Sequence, residues 1–174
     1  MRAPFTQLYF HLVWATWDRL PLLTNIVRPV AYDALQAECR AVEVDLVAIG
    51  GMEDHVHLLV RTPATMAVSR LVQQLKGASS HLINHEVRKD FAFKWQGGYG
   101  AFTVSKRAVR QVRAYILDQE EHHRYGTVHA GCEPAPAPPP VVQPNIGAES
   151  AKADFVPLLP RVHSPDLYAL SPLT

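Results

Sequence analysis

The spacing of apolar and polar positions changes several times along this chain, and each change marks an element. Residues 5–17 (FTQLYFHLVWATW) are rich in aromatic and β-branched side chains and predict a long strand. Asp18-Arg19-Leu20-Pro21 breaks it. From about Ile26 to Ala41 the apolar positions Val27, Val30, Ala31 and Leu35 recur at helical spacing. Residues 42–50 (VEVDLVAIG) predict a second strand, with Gly50-Gly51 as its stop. His55 to Arg61 predicts a third, joined to the second by so short a connection that the two form an antiparallel hairpin. Thr62-Pro63 closes the hairpin. A long helix from about Met66 to Lys89 follows, its apolar face made by Val68, Leu71, Val72, Leu75, Ala78, Leu82, Ile83 and Val87. Gly77 sits inside it at some cost in helix propensity. Phe91, Phe93, Trp95 and Tyr99 fall in a glycine-containing loop, and Ala101–Ser105 reads as a short fourth strand. Ser105 then caps a third helix over about Lys106 to His123. The order β-α-β-β-α-β-α predicts an α+β, ferredoxin-like split βαβ sheet with one added C-terminal helix. Such a sheet has its first and third strands at the centre.

Composition divides the chain. Its 174 residues suffice for one ordinary domain with a real core. After Gly131 the character changes: ten of the fourteen prolines lie between Pro134 and Pro172, and residues 135–144 read APAPPPVVQP. Proline removes amide donors and favours extended backbone, so the expectation is a domain over 1–131 and a proline-rich, disordered tail over 132–174 that cannot supply a core and is dispensable for cleavage. Phe155-Val156-Pro157-Leu158-Leu159 offers a docking segment as the alternative reading within it. Cys39 and Cys132 make no disulfide framework and read as free thiols of a reducing compartment. Neither a secretory signal pattern nor an apolar run of membrane-spanning length is visible, which points to a cytoplasmic protein with no membrane partner.

The net charge of +1 conceals an asymmetry. Between Arg61 and Arg124 eleven Lys/Arg face five Asp/Glu, while the remaining residues carry six against eleven. A basic half is the electrostatic footprint of a phosphate backbone, or else a solvated helix face.

The candidate chemistry starts in the stretch Gly51-Met52-Glu53-Asp54-His55-Val56-His57-Leu58-Leu59-Val60, a turn leading into the third strand. Side chains alternate along a strand, so His55 and His57 share a face about 7 Å apart and can share a divalent cation. The alternative is two polar residues on a solvated sheet face. On the third helix Tyr115 and Gln119 are four residues apart and also share a face. A tyrosine hydroxyl can attack phosphorus, but with a reference pKa near 10 it needs a base or a metal that makes the phosphate more electrophilic. A glutamine carbonyl is a neutral oxygen ligand for a hard cation. In isolation a core tyrosine explains Tyr115 better.

Together these pieces resemble the small single-tyrosine HUH transposases of the simplest bacterial insertion sequences and the related REP-associated tyrosine transposases. The resemblance rests on His55-Val56-His57 and on Tyr115-Ile116-Leu117-Asp118-Gln119-Glu120-Glu121-His122-His123. It extends to His11-Leu12-Val13-Trp14, Leu75-Lys76-Gly77-Ala78-Ser79-Ser80 and Trp95-Gln96-Gly97-Gly98-Tyr99-Gly100-Ala101-Phe102, and covers about residues 5 to 125.

The resemblance implies that His55, His57 and Gln119 ligate Mg²⁺ or Mn²⁺ and that Tyr115 is the nucleophile. The implied substrate is single-stranded DNA with hairpin ends, cleaved to a free 3′-OH and a 5′-phosphotyrosine and then rejoined. It further implies a homodimer, in which one subunit's tyrosine helix can serve its partner's histidines. Lys76, Lys106, Arg107, Arg110 and Arg113 are the expected DNA contacts. His81 and His85 are also at metal spacing, but without an acidic companion they read as a polar helix face, and His122 and His123 read as helix C-terminal residues. His11 lies on the strand beside the His-x-His strand with its facing undetermined, and Trp95 and Tyr99 are either base-stacking platforms or core. A non-catalytic single-strand binder on the same fold is the rival; it has no use for Tyr115, Gln119 and the histidine pair together.

Overall fold

The computed structural model describes residues 5–87, 92–129 and 132–133. The positions 88–91 at the end of the long helix, and the segment from 134 onward that holds the expected tail, lie outside the described residues.

Four strands form one antiparallel sheet: β1 (Leu8–Ala15), β2 (Asp45–Gly51), β3 (His55–Thr62) and β4 (Gly100–Val104). Their spatial order is β2-β3-β1-β4, so β1 and β3 are central as the ferredoxin-like reading expects. Helices α1 (Val27–Ala41) and α2 (Val68–Glu86) follow β1 and β3, and α3 (Val109–Leu117) and α4 (Gln119–Tyr125) close the chain order. Observed boundaries are shorter than the sequence pattern suggests at several ends. The first strand stops at Ala15 because Thr16 turns the chain: its N–H and its Oγ1 both donate to the carbonyl of Asp54, at 2.8 and 3.1 Å. Asp18 and Arg19 then take left-handed backbone, at φ 50° and 54°.

The period-two alternation of the central strands separates two layers. Leu12 and Trp14 of β1 and Val56, Leu58 and Val60 of β3 point to α1 and α2, where they meet Ala31, Leu35, Leu71, Val72, Leu75 and Ile83 in one buried cluster. The opposite parity carries His11, His55, His57 and Leu59, and Leu59 packs with Ala48 and Ile116 on the face that α3 covers. The loop before β4 belongs to the first layer: Trp95 is buried and its indole N–H donates to Ser79 Oγ at 2.9 Å, so it is core rather than a stacking platform. Tyr99, by contrast, is exposed.

The third helix differs from the single span the sequence predicts. Residues 105–108 form a capped turn, Ala108 N–H donating to the carbonyl of Ser105 at 2.9 Å, and the helix proper begins at Val109. It breaks at Asp118, whose ψ of 21° leaves helical geometry, and α4 restarts at once. Asp competes for backbone hydrogen bonds and is a poor helix interior residue, which makes this the weakest point of the span.

Gly50 decides how close α3 can come. It pairs across the ladder with His57, and a Cβ placed there would lie 2.0 Å from the carbonyl oxygen of Ile116. Only glycine admits the helix backbone at that distance.

Candidate functional site

The site sits on the α3 face at the centre of the sheet. His55 and His57 are fully buried there, with ring centroids 5.0 Å apart. The Tyr115 ring lies 6.1 Å from that of His57, and Gln119, 1% exposed, follows on the first turn of α4. One chain therefore brings together all four residues singled out as catalytic or metal-binding. The bend at Asp118 keeps Gln119 beside Tyr115: its side-chain N–H donates to the Tyr115 carbonyl at 3.3 Å, leaving Oε1 directed elsewhere.

Each histidine is fixed through its inner nitrogen. His55 Nδ1 is 2.7 Å from Asp54 Oδ1, and Asp54 is in turn held by the Arg19 guanidinium at 2.8–2.9 Å. Burial works against the Asp54 charge, but the bonds and charges of His55 and Arg19 outweigh it and hold the carboxyl below its usual range. His57 Nδ1 meets His11 Nε2 at 2.8 Å. The two are diagonal neighbours across the ladder, since Leu59 is the direct partner of His11. Burial, and after it the His57 charge, lowers the His11 pKa to about 4, and burial also lowers that of His57. Both rings are thus neutral near pH 7. With Nδ1 engaged on each of His55 and His57, Nε2 is the atom free to offer a lone pair.

Those outer atoms have no hydrogen-bond partner. His55 Nε2, His57 Nε2, Gln119 Oε1, His123 Nε2 and Glu133 Oε2 are all buried and unsatisfied. Orphaned buried polar atoms are costly, and three imidazole nitrogens lie 3.3–3.6 Å from the same orphaned carboxylate oxygen, Glu133 Oε2. His55, His57 and Glu133 alone offer ligand atoms within 4.8 Å of one another. The donor set fits a cation. Imidazole nitrogens together with amide and carboxylate oxygens are donors that divalent cations accept.

Glu133 and His123 escape the sequence reading. Glu133 lies two residues inside the segment assigned to the tail, yet its Oε1 accepts from Tyr115 Oη at 2.5 Å. Composition marks the proline run but not what its first residues touch, so the boundary expected after residue 131 leaves Glu133 outside the domain although it bonds to Tyr115. His123, read as a helix C-terminal residue, packs its ring 5.0 Å from that of His55. A signal for it was present: Tyr115, Gln119 and His123 follow one another at intervals of four.

The expected DNA contacts divide. Arg107, Arg110 and Arg113 are exposed. Lys106 donates to Tyr9 Oη at 3.0 Å. Lys76 is committed to the glycine loop, donating to the carbonyls of Gln96 and Gly98 at 2.9 and 2.7 Å. Burial lowers its pKa to about 8. His81 and His85, both exposed on α2, hold their rings 4.3 Å apart at a tilt of 48°.

A family profile described as "Transposase IS200 like" matches residues 4–119. The chain belongs to the IS200-like transposases. It is 30% identical over 123 residues to the transposase of insertion sequence element IS200 from Salmonella typhimurium, covering 67% of this chain and 80% of that protein. The ISDra2 transposase TnpA of Deinococcus radiodurans is 28% identical over 120 residues, 66% of this chain and 86% of the relative. Among solved structures, a putative transposase from Deinococcus radiodurans superposes with a TM-score of 0.56 at 29% identity, covering 68% and 95% of the two chains. A REP-associated tyrosine transposase bound to a REP hairpin shares the fold, with a TM-score of 0.54 at 14% identity and 74% coverage of each. This IS200-like transposase is accordingly an enzyme that acts on DNA.

Proposed function

We propose that this transposase cleaves and rejoins single-stranded DNA through a 5′-phosphotyrosine on Tyr115, with Mg²⁺ or Mn²⁺ held by His55, His57 and Gln119. The observation that carries the reading is the convergence of buried, unpartnered lone pairs beside a tyrosine hydroxyl. A non-catalytic binder has no reason to bury them. A bound divalent cation would polarise the scissile phosphate and stabilise charge on its leaving oxygen.

The protein's own groups do the rest. Tyr115 Oη forms a bond to phosphorus as the bond from phosphorus to the 3′ oxygen breaks. Oη gives up its proton and the 3′ oxygen gains one, leaving a 3′-OH and a 5′-phosphotyrosine. Attack by another 3′-OH reverses the sequence, so joining needs no outside energy source. Burial and the bond to Glu133 raise the Tyr115 pKa, so the hydroxyl is protonated before substrate arrives. Asp54 and His11 fix the two histidine rings. Arg107, Arg110 and Arg113, with Lys106, supply a positive face along α3 for the phosphate backbone. The hairpin carried by the REP-associated relative supports a substrate of the same kind here. Because one chain supplies every residue of the site, the proposal uses each subunit's own tyrosine, whether or not the chain pairs.

The test is covalent capture. Labelled single-stranded hairpin DNA should yield a protein–DNA adduct on a denaturing gel with the native chain, and none with Tyr115→Phe, which still binds the oligonucleotide. An undiminished adduct from Tyr115→Phe would move the nucleophile to another residue.

A further inference from the structure

We propose that the carboxylate of Glu133 is a ligand of the cation in the DNA-free protein, holding the place that the scissile phosphate takes over when DNA binds. The inference rests on the cation site of the preceding reading and adds to it a residue from beyond the catalytic helix.

The geometry is that of a bridge. Oε1 accepts from Tyr115 Oη at 2.5 Å. Oε2 lies 3.3 Å from His55 Nε2, 3.6 Å from His57 Nε2 and 3.6 Å from His123 Nε2. Adjacent ligands of a six-coordinate ion at about 2.1 Å sit roughly 3 Å apart, so these separations suit atoms sharing one ion. Oε2 has no hydrogen-bond partner of its own, although the Glu133 side chain is only 13% exposed. An orphaned carboxylate oxygen among orphaned imidazole nitrogens is unfavourable unless something positive sits between them.

The segment is also tied to the nucleophile. The backbone N–H of His129 donates to Tyr115 Oη at 3.2 Å, and Cys132 N–H donates to the His129 carbonyl at 2.7 Å. The Tyr115 hydroxyl is thus bonded both to the His129 N–H and to the Glu133 carboxylate.

Charge and shape explain why the carboxylate must be exchanged rather than kept. Two neutral imidazoles and an amide leave a divalent cation uncompensated, and one carboxylate reduces the excess. A phosphodiester carries the same single charge and presents two oxygens, one of which can face the histidines while phosphorus faces Oη. Glu133 reaches across that same gap between nucleophile and histidines. Both cannot occupy it, because Oη must meet phosphorus to react and now meets a carboxylate oxygen. Replacement of one anion by the other keeps the charge of the site constant and avoids two anions facing each other in a buried volume.

Manganese binding measured by the electron spin resonance of free Mn²⁺ tests this, using the full chain. All variants carry Tyr115→Phe so that bound DNA stays intact. Without DNA, adding Glu133→Gln should weaken Mn²⁺ binding on the order of tenfold, as expected for loss of a charged oxygen ligand. With the hairpin oligonucleotide bound, the same substitution should change Mn²⁺ affinity by less than about threefold, because phosphate has replaced the carboxylate. His57→Ala is the reference. If it too leaves Mn²⁺ binding intact, the cation site itself is misassigned. If it abolishes binding while Glu133→Gln does nothing without DNA, only the Glu133 inference falls. An equal loss with and without DNA would show a permanent ligand and refute the exchange.

Discussion

Replacing Gly50 by alanine should disable the enzyme without touching any residue of the site. The added Cβ would fall 2.0 Å from the Ile116 carbonyl oxygen and 3.0 Å from its carbon. Neither is a flexible side-chain tip, so α3 and β2 must separate by about 1 Å before the approach becomes tolerable. Overpacking of this kind costs roughly 1–3 kcal/mol of stability. The larger effect is on chemistry, because Tyr115 adjoins Ile116 and moves with it. Displacement of a reacting group by about 1 Å can cost on the order of 100-fold in rate. Single-turnover adduct formation at saturating DNA and Mn²⁺ reads the rate, and urea unfolding reads the stability. Gly77→Ala is the matched control: it lies on α2 with nothing within 4 Å of the new Cβ. It should stabilise by about 0.5–1 kcal/mol and leave the rate unchanged. A folded Gly50→Ala variant with native cleavage rate would refute the claim that this close approach positions the nucleophile.

If each chain uses its own tyrosine, as proposed from the 6.1 Å between the Tyr115 and His57 rings, mixing the inactive His57→Ala and Tyr115→Phe chains should restore no cleavage; recovery of activity on mixing would mean that the tyrosine is supplied in trans. Replacing Arg107, Arg110 and Arg113 by alanine should weaken hairpin DNA binding and flatten its salt dependence by up to about 0.7 for each phosphate no longer neutralised, read by titration at several salt concentrations. Acidification should destabilise the cation-free protein. His11 has a folded pKa of about 4 against 6.5 in the unfolded chain. The unfolded state therefore binds the extra proton below pH 6.5, and stability falls as pH drops from there towards 4. At pH 5 the loss is about 2 kcal/mol; His11→Gln should remove most of this difference in urea midpoints between pH 7 and pH 5, and an unchanged slope would refute the assignment.

Period-two and helical spacing carried most of the fold. Alternation placed His55 and His57 on one face, and the short hairpin connection fixed their strand in the sheet, although Gly50 and Gly51, expected to stop β2, are its last paired residues and the turn follows at 52–54. The i, i+4 relation brought Gln119 to Tyr115 even though the helix bends between them, because a change of ψ at Asp118 preserves their proximity. Long-range partners were less visible. Whether His11 faced the site depended on the β1–β3 register, which no local pattern reveals, and the structure sets it diagonal to His57. Asp54 stood beside His55 in sequence, but its hydrogen bond to the ring depends on a turn pinned by Thr16 at the end of another strand. Glu133 was hidden by its neighbours: a proline-rich context says that a segment cannot build a core, not that its first carboxylate cannot reach one.

The same geometry explains why a sheet centre, normally the most apolar part of such a fold, can hold so many polar atoms. Each imidazole spends Nδ1 on a neighbour, Asp54 for His55 and His11 for His57. This fixes both rings and leaves their Nε2 atoms directed at one place. The arrangement is stable only if the rings remain neutral, and burial ensures this for His11 and His57 by lowering their pKa values. A positive group between the outward Nε2 atoms and Glu133 Oε2, which lie 3.3–3.6 Å apart, would satisfy both sides at once. Burial therefore does two things that a surface site would not. It lowers the competition of protons for the His57 lone pair near neutral pH, and it strengthens every interaction between the site and a phosphate brought against it. The glycine opposite His57 completes the site, because it lets the helix bearing Tyr115 descend onto the sheet where those lone pairs converge.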